Sequence, residues 1–376
     1  RRFMVEQDTV GGMQAVRLTA VEQLERIKDP LDAQAIWEMA QQQGDPFTQL
    51  PLYGLVLKHG DADQKLIARK LLEAQAALHN MPYAEAAIIS ARANDATALD
   101  VTTLRAAMAP ERPEVERTTA FDAMLRMLKS KAKSADITQA ALYGAAMHDA
   151  LSSGDAGLIA AACEQLAQWD RADLQVVVDT GSEQKARQAL HAIRDLEALQ
   201  GFAAVLAKRD GKPEPAHVAP TFNHPIDRQR LVSLHDGQRY RIKTTKGDIV
   251  IALEPMSAPG SCVAFDSLVT AAYYNGKFFQ RVVPTFVAQG GCPRGDGYGS
   301  MDWTLRTEIG FEGFTKGAVG LASSGRDTES CQFFIMTAAA PHLDGRYTRF
   351  ALVVEGQDVA DVLAVGDLIL AVVKVE

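Results

Sequence analysis

The chain has 376 residues, 47% of them apolar and 23% charged, the composition of a globular protein long enough for two or three domains. A net charge of −8 argues against a nucleic-acid surface, and no run of about 18 apolar residues is present to span a membrane. Four cysteines, Cys163, Cys262, Cys292 and Cys331, are scattered without metal-type spacing, so no metal or cofactor is expected. The chain begins at Arg1 with no apolar leader, which reads as a processed form or a piece of a longer protein.

Residues 1–207 read almost wholly as helix, rich in alanine, leucine, glutamine and arginine. Ile67, Leu71, Ala74 and Leu78 form one expected apolar stripe behind the cap Asp61; Ile159, Ala162, Cys163 and Leu166 form another behind Asp155. Gly44-Asp45-Pro46, Asn80-Met81-Pro82 and Pro110-Glu111-Arg112-Pro113 are the expected breaks, leaving helices of about 12 to 18 residues. Leu52-Tyr53-Gly54 returns as Leu142-Tyr143-Gly144, and Gly60-Asp61-Ala62 as Gly154-Asp155-Ala156. The offset is about two units of 45 residues, so the region resembles a HEAT-like α-solenoid of stacked helix pairs, with room for a protein partner. The histidines His59, His79, His148 and His191 form no catalytic constellation.

Residues 208–238 read as a proline-rich linker, with Gly211, Pro213, Pro215, Pro220 and Pro225 and the surface histidines His217 and His224. From 239 to 376 the period changes to two. Tyr240, Ile242 and Thr244 alternate inward, as do Ile249, Ile251 and Leu253 after the turn at Lys246-Gly247. Ala258-Pro259 opens a helix that should bury Val263, Phe265 and Leu268. Further short strands are expected near 318–322, 332–336, 349–354 and 368–375, with a second helix over 355–363. Many short strands with two helices predict a closed antiparallel barrel capped at both ends.

The stretch Phe278–Gly291 holds one arginine, Arg281, in an apolar run, with Arg281, Val283 and Thr285 on one face and Pro284 marking a bend. A buried guanidinium is costly without partners, so Arg281 is read as facing a peptide-binding groove. Gly295-Asp296-Gly297-Tyr298-Gly299 has neither a lysine nor a strand–loop–helix setting. It reads as a loop beside that groove rather than a phosphate cradle. Arg294-Gly295-Asp296 is read as a chance triplet.

Thr245-Lys246-Gly247-Asp248-Ile249, Ala258-Pro259, Phe279-Gln280-Arg281-Val282-Val283-Pro284, Phe286, Gln289-Gly290-Gly291, Gln332-Phe333-Phe334-Ile335 and Leu343-Asp344-Gly345 stand in a specific order and spacing. In these residues the region 239–376 resembles the cyclophilin family of peptidyl-prolyl cis–trans isomerases. The resemblance implies an eight-stranded barrel capped by two helices. It makes Arg281 the catalytic residue, and Phe286, Val287, Phe334 and Leu343 the pocket for the substrate proline. Gln289 and Gln332 would bond the peptide backbone, and Ala322 and Ser323 would lie along the substrate strand. Tyr347 would close the pocket in place of a common histidine, and His342 stands where many members carry a cyclosporin-contacting tryptophan. Gln280 and Cys292 depart from a common histidine and a common acid.

The chemistry is consistent with that reading. An amide resists rotation by about 18–20 kcal/mol because its nitrogen lone pair is delocalised, so X–Pro bonds exchange slowly unaided. Twisting the bond localises the lone pair, and a guanidinium held there would favour the twisted state without nucleophile, metal or cofactor. The expected clients are proline-containing unfolded or partly folded proteins, with the helices as client or partner platform. The alternative is a non-catalytic scaffold that grips proline segments. Bacterial proteins of this layout suggest a periplasmic or cell-envelope location over the cytoplasm.

Overall fold

The computed structural model describes residues 14–27, 31–43, 46–74, 81–95, 101–131, 137–215 and 226–375. Two compact units emerge, one built from Arg1–Leu190 with Ala198–Pro215, the other from His191–Glu197 with Ala216–Glu376. The breaks at Gly44-Asp45 and Asn80, the stripe residue Leu78, His79, and the linker residues His217, Pro220, His224 and Pro225 lie outside the described residues.

The first unit is helical. Among the described residues its helices are α1 (Gln14–Arg26), α2 (Ala33–Gln42), α3 (Pro46–His59), α4 (Ala62–Glu73), α5 (Pro82–Arg92) and α6 (Val101–Ala107). They continue as α7 (Glu114–Lys131), α8 (Ile137–Leu151), α9 (Ala156–Leu166), α10 (Arg171–Val177), α11 (Thr180–Ala189) and α12 (Leu196–Asp210). α3 packs on α5, α5 on α7, and α7 on α9, burying Leu52, Leu55, Ile88, Phe121, Leu128 and Ile159. Gly54 is what lets α3 approach α5, since a β-carbon there would stand 2.9 Å from the Ala91 Cα.

Asp61 caps α4 through a reciprocal pair. Its carboxylate accepts from Gln64 N while the Gln64 side chain accepts from Asp61 N. The stripe expected behind it is misplaced by one position: Ala68 and Leu72 are buried, whereas Ile67 is 44% exposed. This 12-residue helix offers several apolar faces, and α4 buries the one that carries Ala68 and Leu72. The Asp155 cap and its stripe stand as read, with Ile159, Ala162, Cys163 and Leu166 all buried.

The second unit holds α13 (Arg228–Ser233), inside the stretch read as linker, and then the strands β1 (Arg239–Thr244) and β2 (Gly247–Leu253). α14 (Pro259–Thr270), β3 (Phe279–Val283), β4 (Val287–Gly290), β5 (Ala318–Leu321) and β6 (Phe333–Met336) follow. A 3-10 turn (Pro341–Leu343), β7 (Arg349–Glu355), α15 (Gln357–Asp361) and β8 (Ile369–Val375) complete it. The strands form one antiparallel sheet in the order β3-β4-β6-β5-β7-β2-β1-β8.

Eight strands and two capping helices are present, but the expected closure is not. β8 pairs along its length with β1, and it meets β3 only at the isolated bridge Phe278–Leu368 and the bonds beside it. A bulge at the start of β3 bends that strand away, so the sheet is curled and open rather than a closed barrel. α14 covers the concave face. Its Phe265 ring meets Tyr240, Tyr274, Phe333 and Phe350 at centroid distances of 5.2–6.2 Å. Its N-terminus is capped from a distant loop, where the Glu308 carboxylate accepts from Gly260 N, Ser261 N and Ser261 Oγ at 2.7–2.9 Å.

Candidate active site

Strand register builds the site on the face of the sheet opposite the core. Directly opposed residues on neighbouring strands point to the same side. Arg281 on β3 opposes Gln289 on β4, Gln289 opposes Phe334 on β6, and Phe334 opposes Gly320 on β5, giving one row across four strands. Val283, Val287 and Met336 make the next row. The alternate residues Ala288, Ile335 and Val319 turn inward and belong to the main core.

These outward residues gather into a second apolar cluster, distinct from the core. Val287, Phe334, Met336 and Leu343 are buried in it with Phe314, and Phe286, Ala322 and Tyr347 pack half-buried at its rim. Phe314 stacks on Phe334 with centroids 5.6 Å apart, and Tyr347 meets Phe334 edge-on at 6.1 Å. The covering segment is pinned at both ends: Asp344 Oδ1 accepts from Phe314 N at 2.7 Å, and Phe314 O accepts from Ala340 N at 2.8 Å. His342 stacks on Phe286 at 5.5 Å on the outer side of the cluster. Ala322 and Ser323 follow β5 at the half-exposed edge, with Ala322 N bonded to Gln332 O at 2.9 Å.

Arg281 is exposed on this outer face, so its guanidinium carries no burial cost. The apolar run around it is divided between two faces and a turn. Phe279 is buried in the core, and Val283 belongs to the outer cluster. Thr285 leaves the strand at φ 57 in the turn closed by Phe286 N to Val283 O, so it does not extend the Arg281 face. Pro284 marks the bend as read. Among the described residues the Arg281 guanidinium makes no hydrogen bond and no ion pair, so its five N–H donors remain unspent.

Beside the row lies a cluster of three glutamines. Gln332 Oε1 accepts from Gln280 Nε2 at 2.7 Å and from Gln289 Nε2 at 3.0 Å. Gln332 Nε2 donates to Gly297 O at 2.9 Å and Gly299 O at 2.6 Å, tying the glycine-rich loop to the sheet. Cys292 and Cys331 flank this cluster and are both buried. Burial pushes the Cys331 thiol up to about 11 and raises Cys292 as well, so neither supplies a thiolate at neutral pH.

Every residue expected at the site lies on this one face or its rim. Phe314, Met336 and Gly320 were not anticipated. Met336 was readable from the alternation that gives Phe334, whereas Phe314 sits in a loop with no period to reveal it. The helical unit offers a polar cleft lined by Arg171, Asp179, Glu183, Arg209 and Asp210: Arg209 pairs with Glu183 and Asp210, Arg171 donates to the Arg209 and Asp210 backbone carbonyls, and Asp179 lies 3.4 Å from His148. Among the described residues, no three His, Cys, Asp or Glu side chains are grouped to hold a metal, and no helix is long and apolar enough to cross a membrane.

Residues 239–373 match the family described as cyclophilin type peptidyl-prolyl cis-trans isomerase/CLD. A peptidyl-prolyl cis-trans isomerase of Helicobacter pylori is 40% identical over 136 residues, spanning 35% of this chain and 83% of that protein. Peptidyl-prolyl cis-trans isomerase B of Bacillus subtilis is 39% identical over 130 residues, spanning 34% of this chain and 90% of that protein. The solved structure of a Cryptosporidium parvum cyclophilin type isomerase, in the presence of the dipeptide Ala-Pro, is 26% identical. That likeness covers 37% of this chain and 99% of the other, with a TM-score of 0.35.

Proposed function

This chain belongs to the cyclophilin-type peptidyl-prolyl cis–trans isomerase family, and we propose that Arg281 is the group that turns X–Pro bonds in its protein clients. The observation that carries this reading is the unspent guanidinium of Arg281, in one row with Gln289 and Phe334 beside a preformed apolar cluster. Phe286, Val287, Phe334 and Leu343 take the proline ring, Tyr347 closes over it, and His342 backs Phe286. Gln289 and the edge at Ala322 and Ser323 meet the peptide backbone.

With the ring held, the flanking carbonyl rotates while the proline nitrogen stays in place. Nitrogen gains its lone pair as conjugation is lost, and an Arg281 N–H bonds it most strongly in the twisted state. That preference for the transition state is what accelerates exchange, and no covalent bond forms or breaks. Removing one such donor costs about 2.7–4 kcal/mol, or 10²–10³ in rate.

The helices are the platform for a client or partner in this reading. Leu52-Tyr53-Gly54 and Leu142-Tyr143-Gly144 both fall mid-helix, in α3 and α8, and each helix is followed by an aspartate-capped one. That recurrence supports a HEAT-like repeat. The competing reading is a scaffold that grips proline segments without turning them. Two-dimensional NMR exchange spectroscopy on an Ala-Ala-Pro-Phe peptide separates the two. Cross-peaks between cis and trans signals at sub-stoichiometric protein mark an isomerase; line broadening without cross-peaks marks a scaffold.

A further inference from the structure

Resting on that reading of the site, we propose that Gln332 is a positioning residue rather than a contact for the client, and that Gln280 holds it in place. A carboxamide has two N–H donors and two acceptor lone pairs. Gln332 spends all four, taking Gln280 and Gln289 on Oε1 and giving to the Gly297 and Gly299 carbonyls from Nε2. Nothing remains with which to bond a peptide. Gln289 is the opposite case: among the described residues its side chain makes one hydrogen bond, leaving one N–H and both lone pairs for a client.

Gln280 reaches this network because of the bulge. Phe279 opposes Gly290 and Arg281 opposes Gln289, so Gln280 is the extra residue of β3, without a partner of its own on β4. In regular alternation its side chain would leave the face that Arg281 occupies; a bulge re-aims it. It thereby reaches past β4 to Gln332 on the far side. Turned the other way, the Gln280 amide would donate to Phe278 O at 3.2 Å and Gln289 O at 3.3 Å, but its oxygen would then meet Gln332 Oε1 at 2.7 Å, while both N–H groups of Gln332 stay with the Gly297 and Gly299 carbonyls. Gln280 therefore donates. One chain of amides runs from the bulge to the glycine-rich loop, with Gln289 as a branch that presents its free groups outward.

The loop itself depends on this anchor. Gly297 sits at φ 93, and a β-carbon on Gly299 would stand 2.8 Å from the Pro293 side chain, so the loop is tightly coiled. Arg294 and Asp296 pair within it at 2.7 Å. Its two hydrogen bonds to Gln332 join it to β6.

Two readouts on the full chain test the proposal. The first is hydrogen exchange of the amides at 294–299 in Gln280→Leu, Gln332→Leu and Gln280→His. Both leucine variants are expected to speed exchange about fivefold or more, and Gln280→His, which retains an N–H donor, to restore protection. Unchanged exchange in Gln332→Leu overturns the anchoring role. The second is a double-mutant cycle of Gln332→Leu with Gln289→Leu, read as the affinity for an Ala-Ala-Pro-Phe peptide. Each single variant is expected to weaken binding about fivefold, with the double variant no weaker than Gln289→Leu alone. Multiplying effects, near 25-fold, would show that Gln332 touches the peptide itself and overturn the proposal. A wild-type chain that neither binds nor turns the peptide removes the proposed function, while the exchange readout still decides the anchor.

Discussion

The Phe334 ring lies directly over Gly320, its Cζ 2.5 Å from where a β-carbon on Gly320 would stand. Phe314 crowds the same point, with its Cε1 at 2.8 Å. The wall of the apolar cluster is therefore set by a residue that contributes no side chain. Gly320→Ala is expected to push Phe334 off the sheet, lowering stability by about 1–3 kcal/mol. Calorimetric unfolding and peptide kinetics check this together: KM should rise through the displaced pocket wall. An unchanged KM with lowered stability would mean that Phe334 does not form the wall.

Glu329 gives the sheet unit a pH dependence. It is fully buried; Oε1 accepts from Thr348 Oγ1 at 3.3 Å, and Oε2 finds no partner among the described residues. Burial raises its pKa above the ordinary 4.5, and the nearby Asp327 charge adds to this against the hydroxyls of Thr307 and Thr348. A raised carboxyl is favoured by the fold in its protonated form. Stability is thus fullest below pH 4.5 as far as this group is concerned, and falls as pH rises through the raised value. Glu329→Gln should flatten that decline and stabilise the unit at pH 7–8 by about 1–3 kcal/mol. Parallel pH–stability curves for the two proteins would refute it.

In the helical unit, Asp155 does two jobs at once. One carboxylate oxygen caps α9 by accepting from Leu158 N at 2.9 Å, and the other pairs with Arg117 at 2.7 Å, with side chains only 6% and 10% exposed. Asp155→Ala removes the cap and leaves Arg117 with Glu114, 3.3 Å away, as its ion-pair partner; it is expected to cost about 2–4 kcal/mol. Asp155→Asn keeps the cap but not the charge and should fall between. Denaturant titration gives the order; a wild-type-like alanine variant would contradict it.

His342 stacks on Phe286 where the family resemblance would expect a tryptophan. Weak cyclosporin inhibition is expected from the smaller ring, and His342→Trp should strengthen it. Nanomolar inhibition of the unaltered protein would exclude that role for position 342.

The sequence disclosed what local periods encode. Tyr240, Ile242 and Thr244 alternate inward, Pro259 opens α14, and Asp61 and Asp155 cap their helices, because each depends on neighbours within a few residues. Features that depend on distant partners did not show. The bulge at Gln280, which adds one residue beside the isolated Phe278–Leu368 bridge, leaves no mark in composition. The Ile67 stripe failed because several faces of α4 are apolar and only packing selects Ala68 and Leu72. The candidate site was legible through the ordered motif, yet Phe314 and Gly320 entered it only through register and a close approach.

The central claim rests on Arg281, exposed and, among the described residues, with no side-chain partner. Its removal should leave the fold intact, so chemistry and stability can be read apart. The decisive measurement is kcat/KM for an Ala-Ala-Pro-Phe peptide in wild type and Arg281→Ala, with unfolding followed on the same samples. The account predicts a loss of about 10²–10³ in kcat/KM, carried mainly by kcat, with unfolding unchanged. An active wild type matched by an equally active Arg281→Ala would contradict it.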